Sequence, residues 1–145
     1  MREPYTQLYL HLVWATWDRF PWLVAGIREA IYNCIQYECT QCKAELIAVG
    51  GVADHVHVLV RLPATISVAD LVKQLKGVSS HFATHELAVG GFKWQGGYGA
   101  FTLDKSGVPN VKSYILNQEN HHNNSTFWPD FELHVQPQQT PPSAT

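Results

Sequence analysis

Residues 55–62, HVHVLVRL, alternate strictly between two kinds of side chain. In an extended chain Val56, Val58, Val60 and Leu62 fall on one face, and His55, His57, Leu59 and Arg61 on the other. A helix would scatter both sets around its circumference, so the segment is read as a strand whose aliphatic face belongs to a core. AELIAVGG, residues 44–51, reads as the strand before it, with Gly50-Gly51 as the tight turn of a hairpin. The two histidines then project about 6.5–7 Å apart along one strand. Buried imidazoles cost free energy unless their nitrogens are satisfied. The histidine face is therefore expected to be the open one.

The remaining pattern places this hairpin in a fold. LYLHLVWAT, residues 8–16, alternates with Leu8, Leu10, Leu12 and Trp14 on one side and Tyr9, His11 and Val13 on the other. From 25 to 42, Ile27, Ile31, Cys34 and Ile35 recur at helical spacing. Ser67 and Asp70 form a capping-box-like start to a second helix, with Val68, Leu71, Leu75, Val78 and Phe82 as its apolar stripe to about residue 87. Residues 98–105 are a fourth strand, and Pro109 opens a last helix over 109–122. The order β-α-β-β-α-β plus a helix predicts an α+β, ferredoxin-like (split βαβ) fold. It has a four-stranded antiparallel sheet, two helices on one face and an additional C-terminal helix. The first and third strands are neighbours in that topology, which sets His11 on the same open face as His55 and His57.

A chain of 145 residues with 46% apolar and 15% charged residues fits one globular domain, assigned to 1–128, followed by a polar, proline-rich and flexible tail over 129–145. The N-terminus lacks the apolar core of a signal peptide, and no apolar run approaches the roughly 18 residues of a membrane span, so a cytoplasmic protein is expected. Three cysteines, Cys34, Cys39 and Cys42, are an odd set. Cys39 and Cys42 form a C-x-x-C that closes a helix instead of opening one, which favours a structural role over redox chemistry. The net charge of −2 does not itself point to nucleic acid. Between Arg61 and Lys112, however, six basic residues face three acidic ones. A locally basic half can meet phosphates, with Arg61, Lys73, Lys76 and Lys105 as candidate contacts.

Two imidazoles on one strand allow three chemistries. A nucleotide-hydrolysing histidine triad would require a third alternate histidine, and position 59 is Leu. A metal-free acid/base pair is the second. The third is a two-ligand metal platform lacking a donor, with Asp54 placed to orient an imidazole from behind. In the last helix Tyr114 and Gln118 stand at i and i+4 on one face. Gln118 offers a cation an amide oxygen, and Tyr114 a phenolic oxygen able to attack an electrophile. His121 and His122 lie further along, either as auxiliary ligands or as cations at the helix C-terminus. Tyr9, Trp94 and Tyr98 can stack unpaired bases, although packing in the core or sheet suits each better.

At these residues the sequence resembles the single-tyrosine HUH transposases of the insertion-sequence-200 type and their REP-associated relatives. Asp54-His55-Val56-His57 matches the His-hydrophobic-His motif in its hairpin, and LVKQLKGVS at 71–79 looks like the helix that follows. WQGGYGAF at 94–101 is similar to the approach to the fourth strand. YILNQE at 114–119, with His121-His122, looks like the catalytic helix. The likeness runs in order from about residue 5 to 125.

The resemblance implies cleavage and rejoining of single-stranded DNA at the ends of a mobile element, with small hairpins there as the recognised partner. It implies Tyr114 as nucleophile, a 5′-phosphotyrosine product, and a divalent cation (Mg²⁺ or Mn²⁺) held by His55, His57 and Gln118; Asp54 behind them and His11 as an auxiliary come from the residue pattern alone. It implies a homodimer in which the tyrosine helix completes the partner's site; residues 104–109 suit a hinge for that exchange, or are the ordinary Gly and Pro punctuation before a helix. The relatives continue with a further helical segment after the His-His pair, whereas this chain becomes WPDFELHVQPQQTPPSAT. The alternative is a non-catalytic single-stranded nucleic-acid-binding module, which would not need all four of Tyr114, His55, His57 and Gln118.

Overall fold

The computed structural model describes residues 4–118. Four strands, β1 (Tyr9–Ala15), β2 (Glu45–Val52), β3 (His55–Arg61) and β4 (Gly99–Leu103), form one sheet in the order β2-β3-β1-β4, with every neighbouring pair antiparallel. Helices α1 (Ile27–Gln41) and α2 (Val68–His85) cross between strands on one face, and α3 (Val108–Leu116) follows β4. This is the split βαβ arrangement expected from the order of elements. Among the described residues, no helix is long and apolar enough to cross a membrane. The expected C-terminal tail lies outside the described residues.

The core forms as the alternation of β3 requires. Val56, Val58 and Val60 are buried with Leu10, Leu12 and Trp14 of β1 against Ile31 and Ile35 of α1 and Leu71, Val72 and Leu75 of α2. Helix α2 starts where its cap dictates, with Ser67 Oγ accepting the Asp70 N–H at 3.0 Å. Its buried stripe is rotated from the expected one. Ser79 and Ala83 are buried, whereas Val78 and Phe82 are only half-buried and line a groove against α1. Ser79 is tolerated inside because it donates to Leu75 O at 2.6 Å and accepts the Trp94 indole N–H at 2.9 Å. Helix α1 begins at Ile27, two residues later than the periodicity implied, because Gly26 adopts φ +91° and breaks the helical path.

Gly50-Gly51 is not the hairpin turn. Both residues lie inside β2, and the turn is Ala53-Asp54. Gly50 is instead a point of close approach: a Cβ there would lie 2.3 Å from the carbonyl oxygen of Ile115 in α3. The missing side chain lets α3 lie on the sheet. Helix α3 packs on β2 and β3, with Val111, Tyr114 and Ile115 buried against Ala48 and Leu59. The face expected to be open is therefore covered over these strands, because the sequence that covers it lies beyond the βαββαβ unit itself.

Cys34, Cys39 and Cys42 are free thiols. Burial, with smaller contributions from Cys42 and Glu38, pushes the Cys39 thiol up to about 12. Thiolate is the reactive form, so Cys39 should resist maleimide at pH 8 in the native protein and label at once in denaturant. Equal labelling in both states would contradict its place in the core.

Candidate active site

Asp54 and His55 are fixed by the start of β3. The Asp54 carbonyl accepts the Thr16 N–H at 2.9 Å, which ties the β2–β3 turn to the end of β1. Thr16 Oγ1 donates to Phe20 O at 2.7 Å and reaches Asp54 O at 3.2 Å. His55 faces Ala15 of β1 in register, and His57 faces Val13. Alternation on β3 then aims both imidazoles at the side where α3 lies, and both are fully buried.

A polar chain runs through these residues. Arg19 Nε donates to Asp54 Oδ2 at 3.0 Å, and Asp54 Oδ1 lies 2.8 Å from His55 Nδ1. His55 Nε2 lies 3.3 Å from Gln118 Oε1. Burial opposes ionisation of Asp54, but the hydrogen bonds and charges of His55 and Arg19 outweigh it and hold the carboxyl at about 2. Once the Nε2 proton is given up, His55 keeps Nδ1–H on this carboxylate and presents the lone pair of Nε2 towards an amide oxygen. Two lone pairs facing each other are a poor hydrogen bond and a good pair of cation donors.

His57 has a different partner. Its Nδ1 lies 2.7 Å from His11 Nε2, with ring centroids 5.0 Å apart. In the tautomer where His57 Nδ1–H donates to His11, Nε2 of His57 carries the lone pair that a cation requires. The two strand imidazoles stand edge to face, centroids 5.1 Å apart, and the Tyr114 ring meets His57 edge-on at 5.8 Å and 85°. His55, His57, Tyr114 and Gln118 are each at most 1% exposed. Gln118 lies just beyond Asn117, the C-cap of α3, yet its side chain still reaches the sheet.

His55, His57, Gln118, Tyr114, Asp54 and the auxiliary His11 are thus brought together. Among the described residues no group of three or more His, Cys, Asp or Glu side chains forms a metal-binding cluster. Two imidazoles plus an amide oxygen is the donor set here, and its chemistry fits a divalent cation.

The candidate phosphate contacts behave differently. Lys76 Nζ donates to Gln95 O at 2.7 Å and Gly97 O at 2.9 Å, and burial lowers its pKa. Arg61 Nη2 donates to Thr6 O at 2.7 Å. Both cations pin backbone before they meet any ligand, which their position in the sequence did not reveal. Lys73 and Lys105 are exposed. Trp94 and Tyr9 are buried and Tyr98 is half-buried, as packing residues would be. His121 and His122 lie outside the described residues. The expected hinge at 104–109 contains a short 3-10 turn (Lys105–Gly107), held by Asp104 Oδ1 accepting from Gly107 N and Ser106 Oγ. In the single chain, Tyr114 already lies against its own His57.

Arg19 was missed. Its only advance signal was proximity to the end of the first strand, since Asp18 and Arg19 adopt the left-handed region at φ 53° and 56°, which no motif announced.

The Transposase IS200 like family model matches residues 4–118. The chain belongs to that family. A protein from Deinococcus radiodurans R1 classed as a transposase has a similar solved structure, with 29% identity, 81% of this chain and 95% of that chain covered, and a TM-score of 0.64. A REP-associated tyrosine transposase bound to a REP hairpin shares the fold at 16% identity, with 97% and 87% covered and a TM-score of 0.62. Among curated proteins no significant match is found.

The depressed pKa of Asp54 makes a stability prediction for this transposase-family chain. The unfolded carboxyl, near 3.8, binds protons more readily than the folded one, near 2. Asp54 therefore contributes about 2 kcal/mol that is complete above pH ~4 and lost as pH falls through ~2. Urea unfolding across pH 2–5 should show Asp54→Asn with a flatter stability slope than the wild type. Parallel slopes would remove the ion-pair account.

Proposed function

We propose that this transposase-family chain cuts and rejoins single-stranded DNA at mobile-element ends, with Tyr114 as the covalent nucleophile. The reading rests on one observation above all. Tyr114 and Gln118 arrive from the C-terminal side of the fold at the two histidines of β3, and Gln118 does so across 63 residues of sequence.

The chain's own groups divide the work. Asp54, held by Arg19, keeps the His55 tautomer and ring orientation fixed. His11 does the same for His57 through the 2.7 Å contact. His55 Nε2, His57 Nε2 and Gln118 Oε1 are the donors that would hold Mg²⁺ or Mn²⁺. Such a cation, when bound, neutralises charge on the phosphodiester oxygens. Tyr114 Oη attacks the phosphorus; its proton is lost as the O–P bond forms, and the 3′-oxygen leaves and takes up a proton. The products are a 5′-phosphotyrosine and a free 3′-hydroxyl. The covalent link stores the phosphodiester bond for rejoining without a nucleotide cofactor. Attack of the 3′-hydroxyl on that link reverses the step and frees Tyr114. A dimer that exchanges the tyrosine helix between subunits remains compatible with this chemistry.

The test is direct. Incubation with single strands of hairpin-forming DNA taken from either side of the gene, in Mn²⁺, should give an adduct that survives denaturing electrophoresis. Binding without an adduct across a panel of such ends would replace the enzyme with the non-catalytic binding module.

A further inference from the structure

The segment between β1 and α1 exposes large aromatic side chains beside the site. Trp17 is 47% exposed and Phe20 54%, although both follow directly on a buried strand. The Lys93 ammonium lies 4.1 Å from the Trp17 ring centroid. This surface is rigidly held. Trp17 N–H donates to Lys93 O at 2.8 Å, Asp18 N–H to the Gln95 side chain at 3.2 Å, and Gln95 N–H to Ala15 O at 2.8 Å. Phe20 meets Trp22 at a tilt of 41°, Trp22 meets Phe92 and Phe92 meets Trp94, with centroids 4.6, 5.2 and 4.9 Å apart, so the exposed ring is the outer end of a ladder rooted in the core.

Holding this conformation has a cost. Asp18 and Arg19 both sit at positive φ, a strain of order 1 kcal/mol or more per residue that the exposed rings do not offset by burial. Arg19, between Trp17 and Phe20 in sequence, is also the residue that reaches Asp54 behind His55. The aromatic surface is therefore connected to the candidate site through the Arg19 side chain and through Thr16, whose Oγ1 reaches both Phe20 O and Asp54 O.

We propose that Trp17, with Lys93 over its ring and Phe20 beside it, is a stacking platform for an unpaired base of the single-stranded substrate. The assignment rests on the proposed function for the nature of that substrate. An exposed indole with an ammonium beside it suits a polymer offering both π-faces and phosphates. A purely apolar protein partner would leave that ammonium to be desolvated without a counter-charge. Asp18 is the acidic side chain nearest in sequence. It limits the net charge of the surface, so stacking and not charge density must supply most of the affinity.

The experiment is fluorescence anisotropy with a labelled 20-nucleotide single strand and a duplex of equal length, using the full chain. Trp17→Ala should weaken single-strand binding about 10-fold or more, the order of one base–aromatic stack. Trp17→Phe should stay within about threefold, because a π-face is kept, and duplex binding should be unchanged. Lys93→Ala should weaken binding less and lower its salt dependence. Single-strand affinity of Trp17→Ala within twofold of wild type, or equal loss on duplex, overturns the platform. So does a change in sedimentation showing that Trp17 joins two copies of the chain. Adduct formation is read separately: a wild type that makes no adduct yet loses single-strand binding on Trp17→Ala keeps the platform and removes the tyrosine chemistry.

Discussion

A Tyr114→Phe variant should bind single-stranded element ends as the wild type does and form no covalent adduct. The phenyl ring keeps the edge-on contact with His57 and the buried position against Leu59 and Ala48. Only the oxygen is removed, so stability should change by no more than about 1 kcal/mol, the range for a single hydrogen bond. Cleavage should fall by at least about 10³-fold, since deletion of a covalent nucleophile leaves only binding and electrostatic effects. Urea unfolding and denaturing electrophoresis of the same preparation separate the two quantities. An adduct of undiminished yield in Tyr114→Phe would transfer the nucleophile to another residue.

The second large effect is expected at a residue with no functional group. Gly50→Ala places a methyl where 2.3 Å separates it from Ile115 O, 3.1 Å from the Ile115 carbonyl carbon and 3.3 Å from Ile115 Cγ2. Two of these atoms are backbone, so no rotamer change relieves the clash. Helix α3 must shift by about 1 Å, at a stability cost of about 1–3 kcal/mol. Displacement of Tyr114 by that distance should lower cleavage about 100-fold. Gly77→Ala is the matched control. It lies in α2 with nothing within 4 Å of its Cβ, and should stabilise the fold by about 0.5–1 kcal/mol while leaving cleavage intact. Wild-type stability and cleavage in Gly50→Ala would mean that α3 is not held against β2 during the reaction.

Much of the architecture is legible because alternation and capping are local. The two-faced pattern of 55–62 specifies which side chains enter the core, and Ser67 with Asp70 specifies where α2 starts. The glycine pair misled, because glycine serves equally for a turn and for a close contact, and only a distant helix distinguishes them. The α2 stripe rotated for a similar reason. Ser79 is polar by type, yet the indole of Trp94 satisfies it inside the core. Charge marks Lys76 and Arg61 as candidate phosphate contacts, but it does not show that the fold also brings backbone carbonyls to them.

The sequence by itself determined the order of elements, the two faces of β3, and the residue types able to hold a cation or attack a phosphodiester. Period-2 and period-3.6 patterns act over neighbours in the chain, so they can be read without coordinates. Only the tertiary structure decided that the histidine face is covered, that His11 supports His57, and that Arg19 locks Asp54. It also decided that Trp17 and Phe20 stay in solvent. Those outcomes depend on contacts between segments far apart in sequence and on two residues at positive φ. Neither leaves a periodic trace.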